Sequence, residues 1–231
     1  SRRMVKAAIE AYTRVSVDLL PTPKRPHYTF NLRDVSKVFQ GILQIRPRDC
    51  QSADVMKRLW IHEVQRTFHD RLINKEDKRW FTELVQELCT RTLDAQWKHE
   101  DLFEGDSLLL FADFLKPGSD EPSYLPVQDM DQMTKLLNNF LEDYNMNSAN
   151  QMNLVFFKDA IEHLCRLARI LRQPRGSALL VGVGGSGKQS LTRFACFICE
   201  YECFQIELTR GYGQENFHED LRALMVRTGV E

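Results

Sequence analysis

The sequence lacks long apolar runs, and it lacks an excess of charge of either sign. None of its apolar segments approaches the ~20 residues that a membrane-spanning helix needs. Lys and Arg total 31 and Asp and Glu total 32, so the net charge of -1 gives no overall attraction to nucleic acid or to an anionic membrane. We therefore expect neither a membrane nor a nucleic acid as partner, and any anion site must be local.

Cysteine is also scarce, because 6 residues in 231 are too few and too unevenly spaced for a disulfide scaffold, which indicates a reducing compartment. Cys196, Cys199 and Cys203 stand at helical spacing. They could hold a metal, but we interpret them as buried structural cysteines. His62 and His69 lack the H-E-x-x-H spacing of a zinc site, which favours surface or partly buried helix positions.

Apolar residues make up 43% of the chain and charged residues 27%, the balance of a globular protein. In the first hundred residues apolar side chains recur with a helical period in four segments. The first helix should end near Leu20, before two prolines, and the second should begin behind a cap at Asn31. Ser52 or Asp54 should cap the third, and the fourth should run to about Leu93. This region is predicted to be a helical bundle.

The middle of the chain differs in composition from about residue 104. Two short extended pieces, 108–111 and 124–127, flank the turn residues 116–119, which indicates a linker or hairpin. A further helix should begin at about Asp129.

The last third alternates between strand and helix patterns. A helix over 158–171 precedes an apolar strand at 178–181, a glycine loop and a helix to about Tyr201, and then come a strand at 204–208 and another helix. This order predicts a parallel sheet covered by helices. The expected fold class is α/β with a large helical part and an incomplete sheet.

The glycine loop reads Gly182-Val183-Gly184-Gly185-Ser186-Gly187-Lys188-Gln189-Ser190 and fits the G-x-x-x-x-G-K pattern of a phosphate-binding loop. Glycines let backbone N–H groups point at phosphate oxygens, and the following helix directs its positive end at the same anion. Lys188 adds a flexible charge that can reach the β and γ phosphates. The pattern predicts that 182–190 bind ATP or ADP.

The same letters also satisfy G-x-G-x-x-G, through Gly182, Gly184 and Gly187. Glu207 lies 20 residues further on, where a dinucleotide fold places its ribose-binding acid, so an oxidoreductase domain is an alternative. A lysine directly after the last glycine favours the phosphate loop.

One position departs from the phosphate-loop pattern. Gln189 stands where a Ser or Thr would ligate Mg²⁺, and Ser190 comes one residue late. One residue is about 100° of helix rotation, so nucleotide binding is more secure than metal-assisted hydrolysis, and Ser190 is a weak metal-ligand candidate.

Basic residues dominate the neighbourhood of the loop, since no acidic residue occurs between His163 and Cys199. The local positive charge fits a phosphate site. The arginines of the preceding helix could instead form a solvated face that favours the C-terminal end of that helix. The basic residues are Arg166, Arg169, Arg172, Arg175, Lys188 and Arg193.

Four separated motifs together resemble the dynein heavy chain family, and an axonemal form more than a cytoplasmic one. They are Leu20-Pro21-Thr22-Pro23-Lys24, the segment from His27 to Asp34, Pro174-Arg175-Gly176 and the glycine loop. The resemblance covers nearly the whole chain. It implies the end of the third AAA+ module and the start of the fourth in a ring of six, so both ends are expected to be cuts in a longer protein.

The resemblance implies a helical lid subdomain of the third module at 1–125, a connecting helix and linker at 126–153, and the N-terminal part of the large P-loop subdomain of the fourth at 154–231. Arg33 matches the sensor-2 arginine, although without the resemblance it reads as an exposed helix residue. Leu154 and Val155 match the adenine pocket, although apolar residues there are also ordinary core.

The implied function is a regulatory nucleotide site in a microtubule-based motor ATPase that drives ciliary beating. The implied partners are microtubules, through parts of the protein outside this sequence, and dynein intermediate and light chains. The implied location is the cytoplasm, cytoskeleton and ciliary axoneme. The sequence contains no Walker B strand, sensor-1 residue or arginine finger, so the fragment alone should not hydrolyse ATP, and a site that holds nucleotide without hydrolysis is an alternative.

Overall fold

The computed structural model describes residues 2–103, 109–118 and 122–230, which are mostly helical. They fall into two compact units, Ser1–Glu200 and Tyr201–Glu231. None of the helices in these described ranges has the length and apolar character to cross a bilayer.

The first unit begins with helices that bury one face each in a common core. Asn31 caps the second helix by accepting the Arg33 N–H, and Ser52 caps the third by accepting the Val55 N–H, so both predicted caps are confirmed. The fifth helix was not predicted, because five residues carry too little periodicity. The elements are α1 (Arg2–Asp18), α2 (Leu32–Ile42), a 3₁₀ turn (Pro47–Asp49), α3 (Ala53–Val64), a π-helical turn (Gln65–His69), α4 (Lys75–Thr92) and α5 (His99–Phe103).

A short hairpin follows, built from β1 (Phe111–Ala112) and β2 (Leu125–Pro126). The strands are antiparallel with Phe111 opposite Pro126, which confirms the predicted extended pieces. Leu108, Ser119 and the composition change at 104–106 lie outside the described residues.

The remaining helices are α6 (Met130–Asn147), α7 (Lys158–Arg172), α8 (Lys188–Ile198) and, in the second unit, α9 (Gln214–Val230). The hairpin separates two apolar cores in the first unit. Successive strand residues point to opposite faces, so Phe111 joins the core of α1–α5 while Ala112 joins the core of α6, α7 and α8.

The predicted parallel strands are wrong for the described residues. Neither 178–181 nor 204–208 forms a strand there, and the sheet consists of the antiparallel hairpin. Leu179 and Val181 are 90% and 87% exposed. An apolar run becomes a strand only when a neighbour accepts its backbone hydrogen bonds, and no described segment does so.

The Tyr28 hydroxyl holds the proline-rich segment after α1 against the start of α4. Tyr28 is buried, and its hydroxyl donates to Asp77 Oδ2 at 2.9 Å while accepting the backbone N–H of Ile73 at 3.0 Å. Arg25 forms an ion pair with the same Asp77 carboxylate. One hydroxyl therefore satisfies a partly buried backbone donor and the Asp77 carboxylate together.

A second buried network joins α3 to the hairpin. The His62 Nδ1–H donates to the Leu109 carbonyl at 2.9 Å, which leaves Nε2 of a neutral ring as an acceptor 3.0 Å from the Tyr124 hydroxyl. That hydroxyl also lies 2.9 Å from Glu63 Oε1, so one proton serves two acceptors. His62 is 1% exposed, which corrects its interpretation as a surface or partly buried residue.

Replacing Tyr28 by Phe should lower the free energy of unfolding by about 1–3 kcal/mol, because the Ile73 N–H and the Asp77 carboxylate lose a buried partner. Urea unfolding of the two proteins measures the difference. Tyr12→Phe is the matched control, since among the described residues its hydroxyl has no hydrogen-bond partner. Equal stability losses in both variants would contradict a role for the Tyr28 hydroxyl.

Protonation of His62 should oppose folding. Burial, together with the positive charge of Arg66, holds the pKa of His62 well below its ordinary value of 6.5. The unfolded chain therefore takes up a proton below about pH 6.5 that the folded chain refuses, and the free energy of unfolding falls as the pH drops.

Between pH 7.5 and 5.5 this one group should remove about 1.4 kcal/mol. His62→Asn keeps a donor for the Leu109 carbonyl and does not titrate, so its loss over the same pH range should be smaller by that amount. Denaturant titrations at the two pH values provide the comparison. An identical pH dependence in the two proteins would show that His62 is not held neutral.

Candidate functional site

The glycine loop turns tightly into α8 through two left-handed residues. Gly185 and Gly187 have φ angles of +77° and +75°, a region that favours glycine. Gly187 is the N-cap of α8, where no side chain caps the helix and the first turn contains no acidic residue. The first N–H groups of α8 therefore remain available to an anion.

Lys188 folds back over the loop that precedes it. Its ammonium donates to the carbonyls of Gly182 and Val183 at 2.8 and 2.7 Å and to Ser186 Oγ at 3.0 Å. A Cβ on Gly182 would stand 3.0 Å from Ser186 Oγ and 3.6 Å from the ammonium, so glycine keeps this space open. The structure thus brings the lysine, the glycines and the helix end together.

Gln189 and Ser190, the two residues near the usual metal-ligand position, differ in environment. Gln189 is exposed, while Ser190 is half-buried on α8. They point in directions about 100° apart on a helix, so at most one of them can face a metal bound beside the loop.

The arginines of α7 are engaged by carboxylates. The solvated-face interpretation is wrong for Arg169, which is 7% exposed, whereas Arg166 and Arg172 are partly exposed. The three arginines stand one helical turn apart, and each pairs with an acidic residue of the preceding helices or the hairpin. Arg166 lies 3.5 Å from Asp70, Arg172 lies 2.7 Å from Asp113, and the Arg169 Nε lies 2.9 Å from Glu63 Oε2.

Sequence reasoning missed Glu63 and Asp113 as partners, because they come from distant parts of the chain. A signal existed nonetheless. Arg166, Arg169 and Arg172 recur at every third position, and no acidic residue follows them before Glu200. If other elements cover that face of the helix, carboxylates from distant parts of the chain must balance the charge. Of the two undecided arginines, Arg175 is exposed with a φ of +57°, and Arg193 is half-buried on α8.

The three cysteines do not share one environment. Cys196 and Cys199 are buried at the end of α8, whereas Cys203 is exposed, so the structural interpretation is wrong for Cys203. Burial raises the pKa of Cys199 to about 12, which keeps it a thiol and a poor metal ligand. Across the described residues, no group of three or more His, Cys, Asp or Glu is arranged to hold a metal.

The residues assigned to adenine lie at the start of the second core. Leu154 is half-buried there and Val155 is 77% exposed. The next residue, Phe156, stacks on Phe194 of α8 with ring centroids 5.4 Å apart. This stacking attaches the segment to the helix that begins at the loop.

Arg33 lies in the first turn of α2, and its side chain is exposed. None of the contacts in the described ranges joins it to the glycine loop. Glu207 is likewise exposed, in the second unit.

Two family models match the chain. Residues 152–231 match the P-loop containing dynein motor region D4, and residues 1–78 match the dynein heavy chain ATPase lid domain.

Curated relatives agree with these matches over 99–100% of this chain. Human dynein axonemal heavy chain 6 is 49% identical over 230 residues, and human dynein axonemal heavy chain 1 is 42% identical over 228. The dynein-1-beta heavy chain of the flagellar inner arm I1 complex from Chlamydomonas reinhardtii is 42% identical over 233. The chain spans only 5–6% of the length of these relatives. The chain has a lid match at one end, a motor-region match at the other and 42–49% identity to these relatives over nearly its whole length. It therefore belongs to the dynein heavy chain family.

Proposed function

We propose that residues 182–190 bind the phosphates of ATP or ADP. The observation that supports this most directly is the convergence of the Lys188 ammonium on an uncapped helix start, with Gly185 and Gly187 in left-handed conformations. Positive charge, open N–H groups and the absence of Cβ atoms are the three properties that a polyphosphate site needs.

Binding would proceed by exchange of acceptors. The Lys188 ammonium has three donors, and three oxygens of its own loop accept them. A phosphate oxygen would replace at least one of these neutral acceptors, and the resulting charge-assisted bond is stronger. The loop therefore holds the ammonium at the site before the anion arrives, which reduces the entropy lost on binding.

The purine would lie against Leu154 and Val155. Val155 exposes an apolar side chain, and the Phe156–Phe194 stacking holds this segment against α8. Apolar surface next to a phosphate cradle suits a base whose triphosphate extends toward Lys188.

The two family-model matches support a module assignment. We propose that 1–125 form the lid subdomain of the third AAA+ module, that 126–153 connect the modules, and that 154–231 begin the large subdomain of the fourth. Arg33, exposed on α2, would then be the sensor-2 arginine of the preceding module.

In the whole protein this site would regulate an ATP-driven microtubule motor of the axoneme that drives ciliary beating. Microtubules and the dynein intermediate and light chains would be its partners there. A second candidate is a site that holds nucleotide without turning it over, which Gln189 at the usual metal-ligand position favours. A dinucleotide site using Glu207 is disfavoured, because the matching family model describes this region as P-loop containing.

Lys188→Ala should weaken ATP and ADP binding at this site roughly 10- to 150-fold, because a charged hydrogen bond is worth about 1.5–3 kcal/mol. Equilibrium binding of labelled nucleotide to the full-length protein should show one site lost at fixed concentration. Lys135→Ala removes an exposed lysine on α6 and serves as the control. Full retention of all sites in Lys188→Ala would refute the assignment.

Gln189→Thr restores a hydroxyl at the usual metal-ligand position, so Mg²⁺ should strengthen nucleotide binding more in the variant than in the natural protein. Titrations with and without Mg²⁺ measure the ratio, and Ser190→Ala is the companion variant. If Gln189→Thr changes nothing while Ser190→Ala abolishes the Mg²⁺ effect, Ser190 is the ligand.

A further inference from the structure

A deeply buried ion pair joins two segments of the first unit that lie far apart in sequence. Glu63 of α3 is 0% exposed and Arg169 of α7 is 7% exposed, and they are separated by 106 positions. The Arg169 Nε lies 3.1 and 2.9 Å from the two Glu63 oxygens, and its Nη2 contacts Oε2 as well. Such a pair fixes both the position and the orientation of the guanidinium.

Two further elements, α2 and the hairpin region, contact the Glu63 carboxylate. A Cβ on Gly41 would lie 1.6 Å from Glu63 Oε2 and 2.2 Å from Cδ, so the carboxylate occupies a notch in α2 that only glycine leaves open. The Tyr124 hydroxyl of the hairpin region reaches Oε1 at 2.9 Å. The Glu63 carboxylate is therefore positioned by α2, by its own helix α3 and by the hairpin region, in addition to its ion pair with α7.

From α7 the connection to the loop has two branches. In the first, the buried face of α7 packs in one core with Phe194 and Ile198 of α8, the helix that begins at Lys188. In the second, the chain leaves α7 through a tight turn. The Gly176 N–H donates to the Gln173 carbonyl at 3.0 Å, and a Cβ on Gly176 would lie 1.9 Å from the Ile170 carbonyl oxygen. The helix that follows the loop is thus packed against α7, and the segment that leads toward the loop leaves α7 through a close turn.

We propose that Glu63 and Arg169 are positioning residues for the phosphate loop, and that the integrity of this pair sets the affinity of 182–190 for a polyphosphate. The inference rests on the proposed nucleotide site. A shift of Glu63 would remove the buried partner of Arg169 and so weaken the attachment of α7. The loop would then no longer hold Lys188 and the start of α8 in one place. Linkage then requires that nucleotide in the loop also change the surroundings of Glu63.

The test uses two variants that retain every charge. Gly41→Ala displaces the Glu63 carboxylate, and Tyr124→Phe removes its hydroxyl partner. In the full-length protein we expect each to weaken ADP binding at this site roughly 2- to 30-fold, the range for substitutions that modulate coupling. Val85→Ala deletes two buried methyl groups of α4 in the core of α1–α5, whereas the buried apolar residues of α7 belong to the other core, so it controls for lost stability.

A second measurement needs no variant of the network and keeps the test valid if Gly41→Ala does not fold. Hydrogen exchange at the His62 imidazole carbon, followed by mass spectrometry, reports the surroundings of the residue next to Glu63. Saturating ADP should change that rate at least twofold in the natural protein and leave it unchanged in Lys188→Ala.

The outcomes separate the two proposals. If the natural protein binds ADP, Lys188→Ala does not, and both network variants bind as Val85→Ala does, the positioning role is wrong and the nucleotide site stands. An unchanged His62 exchange rate in ADP overturns the positioning role in the same way. If Lys188→Ala binds as well as the natural protein, the nucleotide site itself is wrong.

Discussion

Burial of the Glu63 carboxylate is the constraint on which the first unit depends. Removing a carboxylate and a guanidinium from water costs several kcal/mol per ion, and the pair recovers this only if the remaining oxygens and N–H groups are satisfied. Here Arg169 engages both oxygens and Tyr124 adds a third contact. The notch at Gly41 is part of the same arrangement, because glycine inside a helix costs about 1 kcal/mol and is retained where a larger residue would collide with a neighbour.

The neighbouring groups then follow from charge balance. Neutral His62 avoids a further positive charge beside Arg66 and Arg169, and it shares the Tyr124 proton with Glu63. The other two arginines of α7 also pair with carboxylates: Arg166 with Asp70, and Arg172 with Asp113. With those three cations paired with carboxylates, Lys188 and the open start of α8 are the groups at the loop itself that could receive an anion. The proposed phosphate site would therefore be compact, without the three arginines of α7 that the sequence placed near it.

Local features of this protein could be predicted from the sequence, and distant pairings could not. The caps at Asn31 and Ser52 and the glycine loop depend on residues within a few positions, so their patterns are visible in the letters. The Glu63–Arg169 pair spans 106 positions, and nothing near Arg169 reveals which carboxylate it meets. The parallel strands failed for a related reason: the apolar run at 178–181 carries the composition of a strand, but hydrogen-bonded neighbours decide whether one forms.

The arrangement suggests how a glycine-rich loop could serve as a well-ordered nucleotide site. Glycines at 185 and 187 give the backbone the left-handed turns that a cradle needs, yet they leave the loop with little stiffness of its own. The flanking segments would then supply the order: α8 packs against α7, and the chain leaves α7 through the Gly176 turn. Because ion pairs hold α7 to α3, to Asp70 and to the hairpin, much of the entropy of ordering a nucleotide site here would be lost on folding rather than on binding. A site built in this way would respond to changes in helices that do not contact the nucleotide.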